Sequence, residues 1–238
     1  MQWRILDTGA NSALTNMEID QRLLDGLETE QHAILHFYDW TGDSATYGYF
    51  TDPYLYLNAE AVQRHGLQLA RRPTGGGIIF HLWDLAFSVL IPSTHPHYST
   101  NTLQNYAFIN NIVIEVIHRF TGENLLPQLL VNESHASNVG VNHFCMARPT
   151  KYDVVISGRK VGGAAQRRTK FGFLHQGTLS LTPPPEKYLE DLLLPGAPVL
   201  ESIREHSFFL IHDYSRPHHL MEARQDLRSL LQIAIKLF

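Results

Sequence analysis

Three consecutive glycines, Gly75–Gly77, place the strongest constraint on how this chain folds. Because glycine has no side chain, such a run can adopt positive φ angles and bring main-chain N–H groups close to a ligand. Successive amides in a turn of this kind form a concave site for a carboxylate, a phosphate or a carbonyl oxygen. Arg71 and Arg72 would add cationic donors at its rim, and Ile78–Phe80 is typical of a buried strand. The alternative is a glycine-rich hairpin beside a solvated arginine pair.

A second segment has the composition of two strands around a stretch of small residues. Tyr152–Ile156 and Phe171–Leu181 are strand-like, and Ser157-Gly158 suits a two-residue hairpin turn. Lys160 then leads into Gly162–Ala165, whose small side chains would leave a narrow channel beside the backbone. From its spacing alone, Lys160 would be an exposed lysine of a turn.

Together these segments resemble the lipoate–protein ligase and octanoyltransferase family. The family carries an RRxTGG(G/R) loop, a D/E-hydrophobic-GRK-(I/V)-xGxA-Q block and a strand with HGT or HGS. The matching residues here are Arg71, Arg72, Thr74, Gly75, Gly76, Gly158, Arg159, Lys160, Val161, Gly163, Ala165, Gln166, Gly177 and Thr178. Shorter matches at Trp3–Asp7, Asn16–Asp20, Phe37–Trp40 and Tyr47–Phe50 extend the resemblance over most of residues 1–182. The combination is specific, although no single piece would be.

The order of predicted elements indicates an α/β (α+β) fold. Strands and helices mingle without a regular βαβ repeat, which favours a mixed β-sheet flanked by helices over a Rossmann array. The resemblance implies one catalytic domain of the type shared by biotin and lipoate protein ligases, spanning residues 1–238. Residues 183–238 would form a short helical extension. By resemblance, many lipoate ligases carry an extra C-terminal domain that helps make the adenylate, so the lack of a second globular unit here favours a transferase. Single-domain ligases with a separate helper also belong to the family.

Capping residues and apolar spacing predict the individual elements. The predicted helices are 12–24, 59–65, 102–120, 186–194 and 219–236, and further strands are predicted at 33–38, 47–50 and 85–91. The polar stretch 132–144 is predicted to be a surface loop. It would either order around a substrate or be an ordinary variable loop.

One cysteine distinguishes two branches of the family. Cys145 precedes Pro149 and Tyr152 with the spacing of a Cys-x-x-x-Pro-[Ser/Thr]-x-Tyr-[Asp/Glu] pattern. By resemblance, this pattern marks the cysteine-dependent octanoyltransferases that resemble lipoate ligase A, in which the cysteine carries the acyl group. An acyl-cysteine intermediate divides acyl transfer into two easier steps. Without the pattern, a lone cysteine would be taken as an inert small hydrophobe.

The resemblance implies that Cys145 and Lys160 are catalytic. The Lys160 ammonium would favour the thiolate and bind the developing oxyanion. The predicted substrate-binding residues are Arg71, Arg72, Thr74, Gly75, Gly76, Gly77, His81, Gly163, Ala164, Ala165 and Gln166. The alkyl chain would lie in an apolar channel beside Gly75–Gly77 and Gly162–Ala165.

Three positions depart from the family pattern. Leu82 stands where the family usually has Asp, and Gln176 stands where it usually has His. The neighbouring His175 would point to the opposite face of a strand, so it would replace the missing His only after a shift of register. Gly77 is typical of the ligases, because the transferase branch often has Arg there. These departures bear on substrate choice and on activity.

Three functions follow from these observations. The leading one is an acyltransferase that moves an octanoyl or lipoyl group onto a lysine through a Cys145 thioester, without a cofactor. The second is an ATP-dependent lipoate–protein ligase that needs magnesium, in which Lys160 would contact the α-phosphate of the acyl adenylate and Cys145 would be a spectator. The third is a non-catalytic binder of acyl groups or lipoyl domains, which Leu82 and Gln176 alone favour.

The resemblance also implies the partners. The donor would be an acyl carrier protein or a lipoyl domain, and the acceptors would be lipoyl-domain proteins such as the 2-oxoacid dehydrogenase E2 subunit and the glycine cleavage H protein. A basic cluster at Arg167, Arg168 and Lys170 would meet an acidic carrier or simply be solvated.

Composition limits the kinds of protein and of binding partner that remain possible. The 238 residues suit one sizeable domain, and a formal net charge of −4 does not favour nucleic-acid binding. The single cysteine excludes an intrachain disulfide and suits a reducing compartment. No apolar run approaches the length of a membrane span, so the sequence predicts a cytoplasmic protein without a membrane partner. His95, His97, His218 and His219 lack neighbours at zinc-ligand spacing, so no metal site is predicted.

Overall fold

The computed structural model describes residues 3–122, 125–131, 144, 149–196, 199–211 and 217–237. The strands are β1 (Trp3–Asn11), β2 (Ala33–Trp40), β3 (Ser44–Tyr47), β4 (Gln68–Arg71), β5 (Ile78–Phe80), β6 (Asp84–Pro92), β7 (Gln128–Leu129), β8 (Val154–Ile156), β9 (Arg159–Thr169) and β10 (Gly172–Ser180). The helices are α1 (Ala13–Asp25), α2 (Ala59–Arg64), α3 (Thr102–Thr121), α4 (Glu186–Leu192), α5 (Val199–His206) and α6 (Pro217–Ala234).

Most strands belong to one mixed sheet, whose seven described strands follow the order β1-β2-β6-β10-β9-β8-β7. The pair β1–β2 is parallel and the other neighbours are antiparallel. A smaller sheet has the order β4-β3-β5 and carries the glycine-rich loop between β4 and β5. The mixed sheet flanked by helices confirms the predicted fold class.

The two faces of the large sheet pack against different partners, because successive side chains of a strand point to opposite faces. On one face, Phe37, Phe87 and Phe173 join a large apolar core with residues of α3 and α6. On the other face, Leu90 and Leu174 pack with α1. We call this second face, which also meets the glycine-rich loop, the cleft face. The small sheet has its own core with α2, α4 and α5.

Several predicted elements are confirmed within a few residues. Ser12 caps α1 by accepting a hydrogen bond from the Thr15 N–H, and Asn58 caps α2 in the same way. Ser157 and Gly158 both have positive φ, at 51° and 76°, as a tight two-residue turn between paired strands requires. The predicted turn is therefore confirmed.

Other predictions were wrong or incomplete. The predicted strand 47–50 is instead β3, Ser44–Tyr47, because the chain leaves the sheet at Gly48 to pack on the glycine-rich loop. Edge strand β1 and helix α5 were not predicted. The predicted loop 132–144 lies outside the described residues except for Phe144. Within the described ranges, no helix is both long and apolar enough to span a bilayer.

Candidate active site

Arg72 holds the glycine-rich loop from the inside. Its buried guanidinium donates hydrogen bonds from Nη2 to the carbonyl oxygens of Gly75 and Gly77, at 3.0 and 2.8 Å. From Nη1 it donates to the carbonyl and the hydroxyl of Thr46, at 3.0 and 2.9 Å. Arg72 was predicted to bind substrate, but these bonds use its guanidinium to fasten the loop to strand β3.

The glycine-rich loop leaves space on one side and leaves some of its main-chain N–H groups available. Gly76 has a φ of 90°, which favours glycine, and a Cβ atom at Gly75 would meet open space. In the described part of the chain, the amides of Gly75 and Gly76 donate to no main-chain or side-chain acceptor. Gly48 packs so closely that a Cβ there would lie 1.8 Å from the Gly76 oxygen. The loop therefore has one packed side and one side open to an anionic or carbonyl ligand.

Gln176 connects the loop to the sheet. The Thr74 hydroxyl donates to Gln176 Oε1 at 2.7 Å, and Gln176 Nε2 donates to Asp20 Oδ2 at 2.6 Å. All three side chains are buried. Gln176, the residue that departs from the family's usual His, therefore supplies both an acceptor and a donor at this position.

Asp20 is the centre of a buried polar network on the cleft face. Its carboxylate also contacts His36 Nδ1 at 2.8 Å and accepts a bond from the Ser88 hydroxyl at 2.6 Å. Burial, together with the negative charge of Asp20, raises the pKa of the nearby Tyr38 well above its usual range. The network ties helix α1 to strands β2 and β6 beneath the loop.

His81 and Asp84 join the two sheets. Nδ1 of His81 contacts Asp84 Oδ2 at 2.7 Å, its Nε2 contacts the Thr46 hydroxyl at 2.8 Å, and Trp40 stacks on its ring. Burial alone would raise the pKa of Asp84, but His81 and the Thr178 hydroxyl lower it below its usual value. His81 was predicted to bind substrate, and the structure engages both of its ring nitrogens within the protein.

Lys160 is a buried cation on the cleft face. Its ammonium lies 2.7 Å from Asp153 Oδ2, and both side chains are almost fully buried. The main-chain N–H and the hydroxyl of Thr150 also donate to that carboxylate oxygen, at 2.7 and 2.9 Å. Lys160 is therefore part of a buried ion pair and is not the exposed turn lysine that its spacing alone would indicate.

A β-bulge sets the direction of Lys160. Strand pairing changes from Val154–Gly162 to Val155–Lys160, so β9 has one extra residue there. As a result Lys160 and Gly163 share a face, and a Cβ on Gly163 would lie 2.6 Å from the lysine Nζ. The glycine therefore provides the space that the ammonium occupies.

The small-residue stretch divides between the two faces of the sheet. Gly163 and Ala165 pair with Thr178 and Gln176, so they lie on the cleft face. Ala164 and Gln166 pair with Gly177 and His175, and their side chains point to the α3 face. These last two were predicted to bind substrate, but the structure does not bring their side chains to the loop.

His175 lies on the α3 face, as expected for the neighbour of Gln176 in a strand. Gln166 Nε2 donates to its Nδ1 at 2.8 Å, and the ring contacts Tyr106 of α3. Burial lowers the pKa of His175 from 6.5 to about 3, so the ring is neutral at pH 7. His175 therefore does not replace the family histidine.

A small apolar cavity lies between the two sheets. It measures about 50 Å³, and its walls include Ile78, Phe144, Ile203, Thr178 and Asp84. Phe144 is buried and bridges to Ile78, the first residue after the glycine-rich loop. Cys145, the next residue in the sequence, lies outside the described residues, so the predicted nucleophile has no described position.

A larger hollow of about 920 Å³ lies elsewhere, between α6 and the corner of β2 and β3. Of the predicted site residues, only His81 lines it. We place the candidate active site at the glycine-rich loop and Lys160, because both lie against the cleft face, where Thr74 contacts Gln176 and Lys160 lies beside Gly163.

The predicted basic cluster is split, because Arg167 donates to the Pro73 oxygen beside the loop, whereas Arg168 donates to the Thr100 oxygen on the other face. Among the residues that the structure describes, no group of three or more His, Cys, Asp or Glu side chains could hold a metal ion.

Sequence reasoning missed the carboxylates that organise the site. The pairing of Asp153 with Lys160 has no signal in the sequence, because it depends on the bulge in β9. Asp20 was detectable, since Asn16, Asp20 and Leu24 recur at helical spacing on the buried face of α1. A carboxylate on that face indicates a buried polar partner.

Comparison with known proteins identifies the family. The model of the lipoyl protein ligase A/B catalytic domain matches residues 12–197. The chain is 31% identical over 182 residues to the octanoyltransferase LipM of Geobacillus kaustophilus, which covers 75% of this chain and 65% of the relative. It is 29% identical over 231 residues to the LipM of Brevibacillus brevis, and this match covers 93% of this chain and 83% of the relative. The chain thus spans just under two thirds of the length of the Geobacillus protein and 83% of the length of the Brevibacillus protein.

Solved structures share the fold. A lipoate-protein ligase A bound with ATP superimposes with a TM-score of 0.70 at 23% identity, covering 99% of this chain and 86% of that one. The bipartite lipoate protein ligase of Thermoplasma acidophilum, studied with its E2 lipoyl domain, superimposes with a TM-score of 0.70 at 22% identity. This match covers 99% of this chain and 84% of that one. The family model and the fold agree with the residues at the site, and the chain belongs to the lipoyl protein ligase A/B catalytic domain family.

Proposed function

We propose that this chain transfers an octanoyl or lipoyl group to a lysine of lipoyl-domain proteins through a thioester on Cys145. The donor is an acyl carrier protein or an acylated lipoyl domain. The observation that carries the proposal is the buried Lys160 ammonium, held over Gly163 on the face that meets the glycine-rich loop. The relatives named octanoyltransferase LipM support octanoyl transfer in particular.

In the first step, the Cys145 thiolate attacks the carbonyl carbon of the thioester on an acyl carrier protein. A bond forms between that carbon and the cysteine sulfur, and the donor sulfur leaves as a thiolate. With an acylated lipoyl domain the bond that breaks is an amide, and the lysine amine leaves after taking up a proton. The open amides of Gly75 and Gly76 and the Lys160 ammonium are the groups available to stabilise the developing oxyanion. The acyl chain lies between the loop and the small residues Gly163 and Ala165.

In the second step, the neutral ε-amine of the acceptor lysine attacks the acyl-cysteine. The carbon–nitrogen bond forms and the bond to the cysteine sulfur breaks. The proton that the amine loses is taken up by the sulfur, which regenerates the thiol. No cofactor enters either step. Asp153 acts through Lys160, because its carboxylate fixes the direction of the ammonium.

Cys145→Ser should abolish transfer from octanoyl acyl carrier protein, because a serine hydroxyl lacks the reactivity of a thiolate toward thioesters. Intact-protein mass spectrometry of the wild-type protein mixed with the octanoyl donor should show one added octanoyl group. That added mass should be lost in the Ser variant.

The same reactions are run with free lipoate, ATP and magnesium as a second arm. An unmodified wild-type protein that lipoylates its acceptor only in this arm would contradict the transferase mechanism. Circular dichroism of the Ser variant controls for folding.

One observation favours the ligase as a second candidate. Gly77 is a glycine, as in the ligases, at a position where the transferase branch often has Arg. In that case ATP and magnesium are required and Lys160 contacts the adenylate.

We further propose that residues 1–238 act as one catalytic domain, since α4 and α5 pack in the core of the small sheet and α6 packs in the core of the large sheet.

A further inference from the structure

The segment between β3 and α2 exposes four large apolar side chains. Their exposed fractions are 43% for Tyr49, 92% for Phe50, 53% for Tyr54 and 65% for Leu55. The rings of Tyr49 and Phe50 contact each other, with centroids 5.1 Å apart. We call these four residues the aromatic platform. Apolar side chains exposed together on a soluble protein are typical of a protein-binding surface.

Hydrogen bonds fasten the segment that carries the aromatic platform to the glycine-rich loop. The Tyr49 N–H donates to the Thr74 oxygen at 2.9 Å, and the Thr51 hydroxyl donates to the Gly76 oxygen at 2.9 Å. The close packing of Gly48 against Gly76 adds a third point of attachment. A protein docked on the platform would therefore be held at a defined position relative to the candidate active site.

Two arginines give the platform a positive edge. The guanidinium carbons of Arg71 and Arg167 lie 4.7 and 5.6 Å from the centre of the Tyr49 ring. Within the described residues neither arginine forms an ion pair. The one carboxylate in the segment, Asp52, is exposed and accepts a hydrogen bond from the Tyr54 N–H. Because the whole chain carries −4, this positive edge is a local feature that complements an acidic partner.

We propose that the aromatic platform, with Arg71 and Arg167, docks the carrier protein that delivers the acyl thioester, through an acidic surface beside its acylated arm. This inference rests on the proposed acyl transfer and names the surface that the donor recognises. Aromatic and arginine side chains are enriched among the residues that dominate binding energy at protein interfaces. The arginines steer the approach of the carrier, and the apolar side chains supply the buried contact.

The test replaces Phe50 by glutamate and compares two donors. Octanoyl acyl carrier protein presents the docking surface, whereas octanoyl-N-acetylcysteamine carries the same thioester without a protein. Phe50→Glu should lower kcat/KM for acylation by the carrier at least about tenfold and leave that for the small thioester unchanged. Met221→Glu, at a 68% exposed position on α6, is the matched control.

Binding is measured separately by fluorescence anisotropy of labelled octanoyl carrier with the Cys145→Ser variant, at low and high salt. Affinity should fall with salt and with Phe50→Glu. This arm distinguishes failure of docking from failure of the proposed function, because it does not require acyl transfer. Equal effects of Phe50→Glu and Met221→Glu would overturn the docking proposal. So would a loss of activity with both donors, or a defect confined to transfer onto the acceptor domain.

Discussion

At the scale of single residues, Lys160 shows how local packing positions a group that we propose to be catalytic. A lysine in a hairpin is ordinarily solvated, but here the ammonium is buried beside Asp153 and occupies the space left by Gly163. A buried cation must be paired or it becomes costly, and Asp153 supplies the pair. The identity of residue 163 therefore controls the position of the proposed oxyanion-binding group.

Gly163→Ala should reduce acyl transfer by up to about a hundredfold, since small displacements of a catalytic group are costly. The added Cβ would lie 2.3 Å from Lys160 Cε, and the flexible end of the lysine would move while the strand remains. Steady-state rates of acceptor octanoylation measure the effect. Lys160→Ala provides the lower limit of activity.

Gly26→Ala is the control for Gly163→Ala, because a Cβ at Gly26 meets open space and its φ of −75° suits any residue. Thermal unfolding checks that both variants are folded. A rate for Gly163→Ala within twofold of wild type would remove the Lys160 position from the mechanism.

At the scale of elements, helix α6 supports the corner between β5 and β6. This helix lies beyond the residues matched by the family model, yet Leu227 and Leu231 belong to the core of the large sheet. Arg224 of α6 donates to the main-chain oxygens of Asp84 and Leu82, at 2.8 and 3.0 Å. Leu82, which departs from the family pattern, is therefore held through its carbonyl group rather than its side chain.

Arg224→Met should lower the free energy of unfolding by about 2 kcal/mol, because two carbonyl groups lose a charged donor. Urea denaturation at pH 7 measures the change. Gln225→Met is the matched control, since Gln225 is exposed one position along the same helix. An equal stability for the two variants would show that the hydrogen bonds of Arg224 do not stabilise the corner.

At the scale of the whole molecule, buried polar groups on the two faces of the large sheet have different roles. On the cleft face, a chain of hydrogen bonds runs from Arg72 through Thr46, His81 and Asp84 to Thr178 and joins the two sheets. On the α3 face, His175 is buried and neutral. Protonation of His175 is therefore disfavoured by folding.

Stability should fall as the pH decreases from about 6.5 toward 3 because of His175. Its pKa is about 3 in the folded state against 6.5 in the reference state, so over this range the unfolded chain binds more protons. When the pH falls from 7 to 5, the free energy of unfolding should decrease by about 2 kcal/mol because of His175. Urea denaturation at both pH values measures it.

His175→Gln should remove most of that difference, whereas His118→Gln, at a partly exposed position on α3, should retain it. Asp84 adds little between pH 7 and pH 5, because its pKa is lowered below 3.8 and its contribution to stability is lost only as the pH falls below about 5. An unchanged pH dependence in His175→Gln would contradict the assignment.

The amino-acid sequence by itself determined the features that depend on neighbouring residues. The glycine-rich loop, the caps at Ser12 and Asn58 and the turn at Ser157-Gly158 follow from local backbone preferences, and the structure contains each of them. The mixed sheet and the family were also predictable, because the matched motifs are spread along most of the chain.

Only the tertiary structure decided which of the candidate residues meet. Gly163 and Ala165 reach the cleft face while Ala164 and Gln166 do not, because strand register and one bulge set the direction of each side chain. The pairings of Lys160 with Asp153 and of Arg72 with Thr46 also depend on strand packing. Such contacts join residues that no local pattern relates, so their physical origin is the packing of the sheets rather than the sequence around each residue.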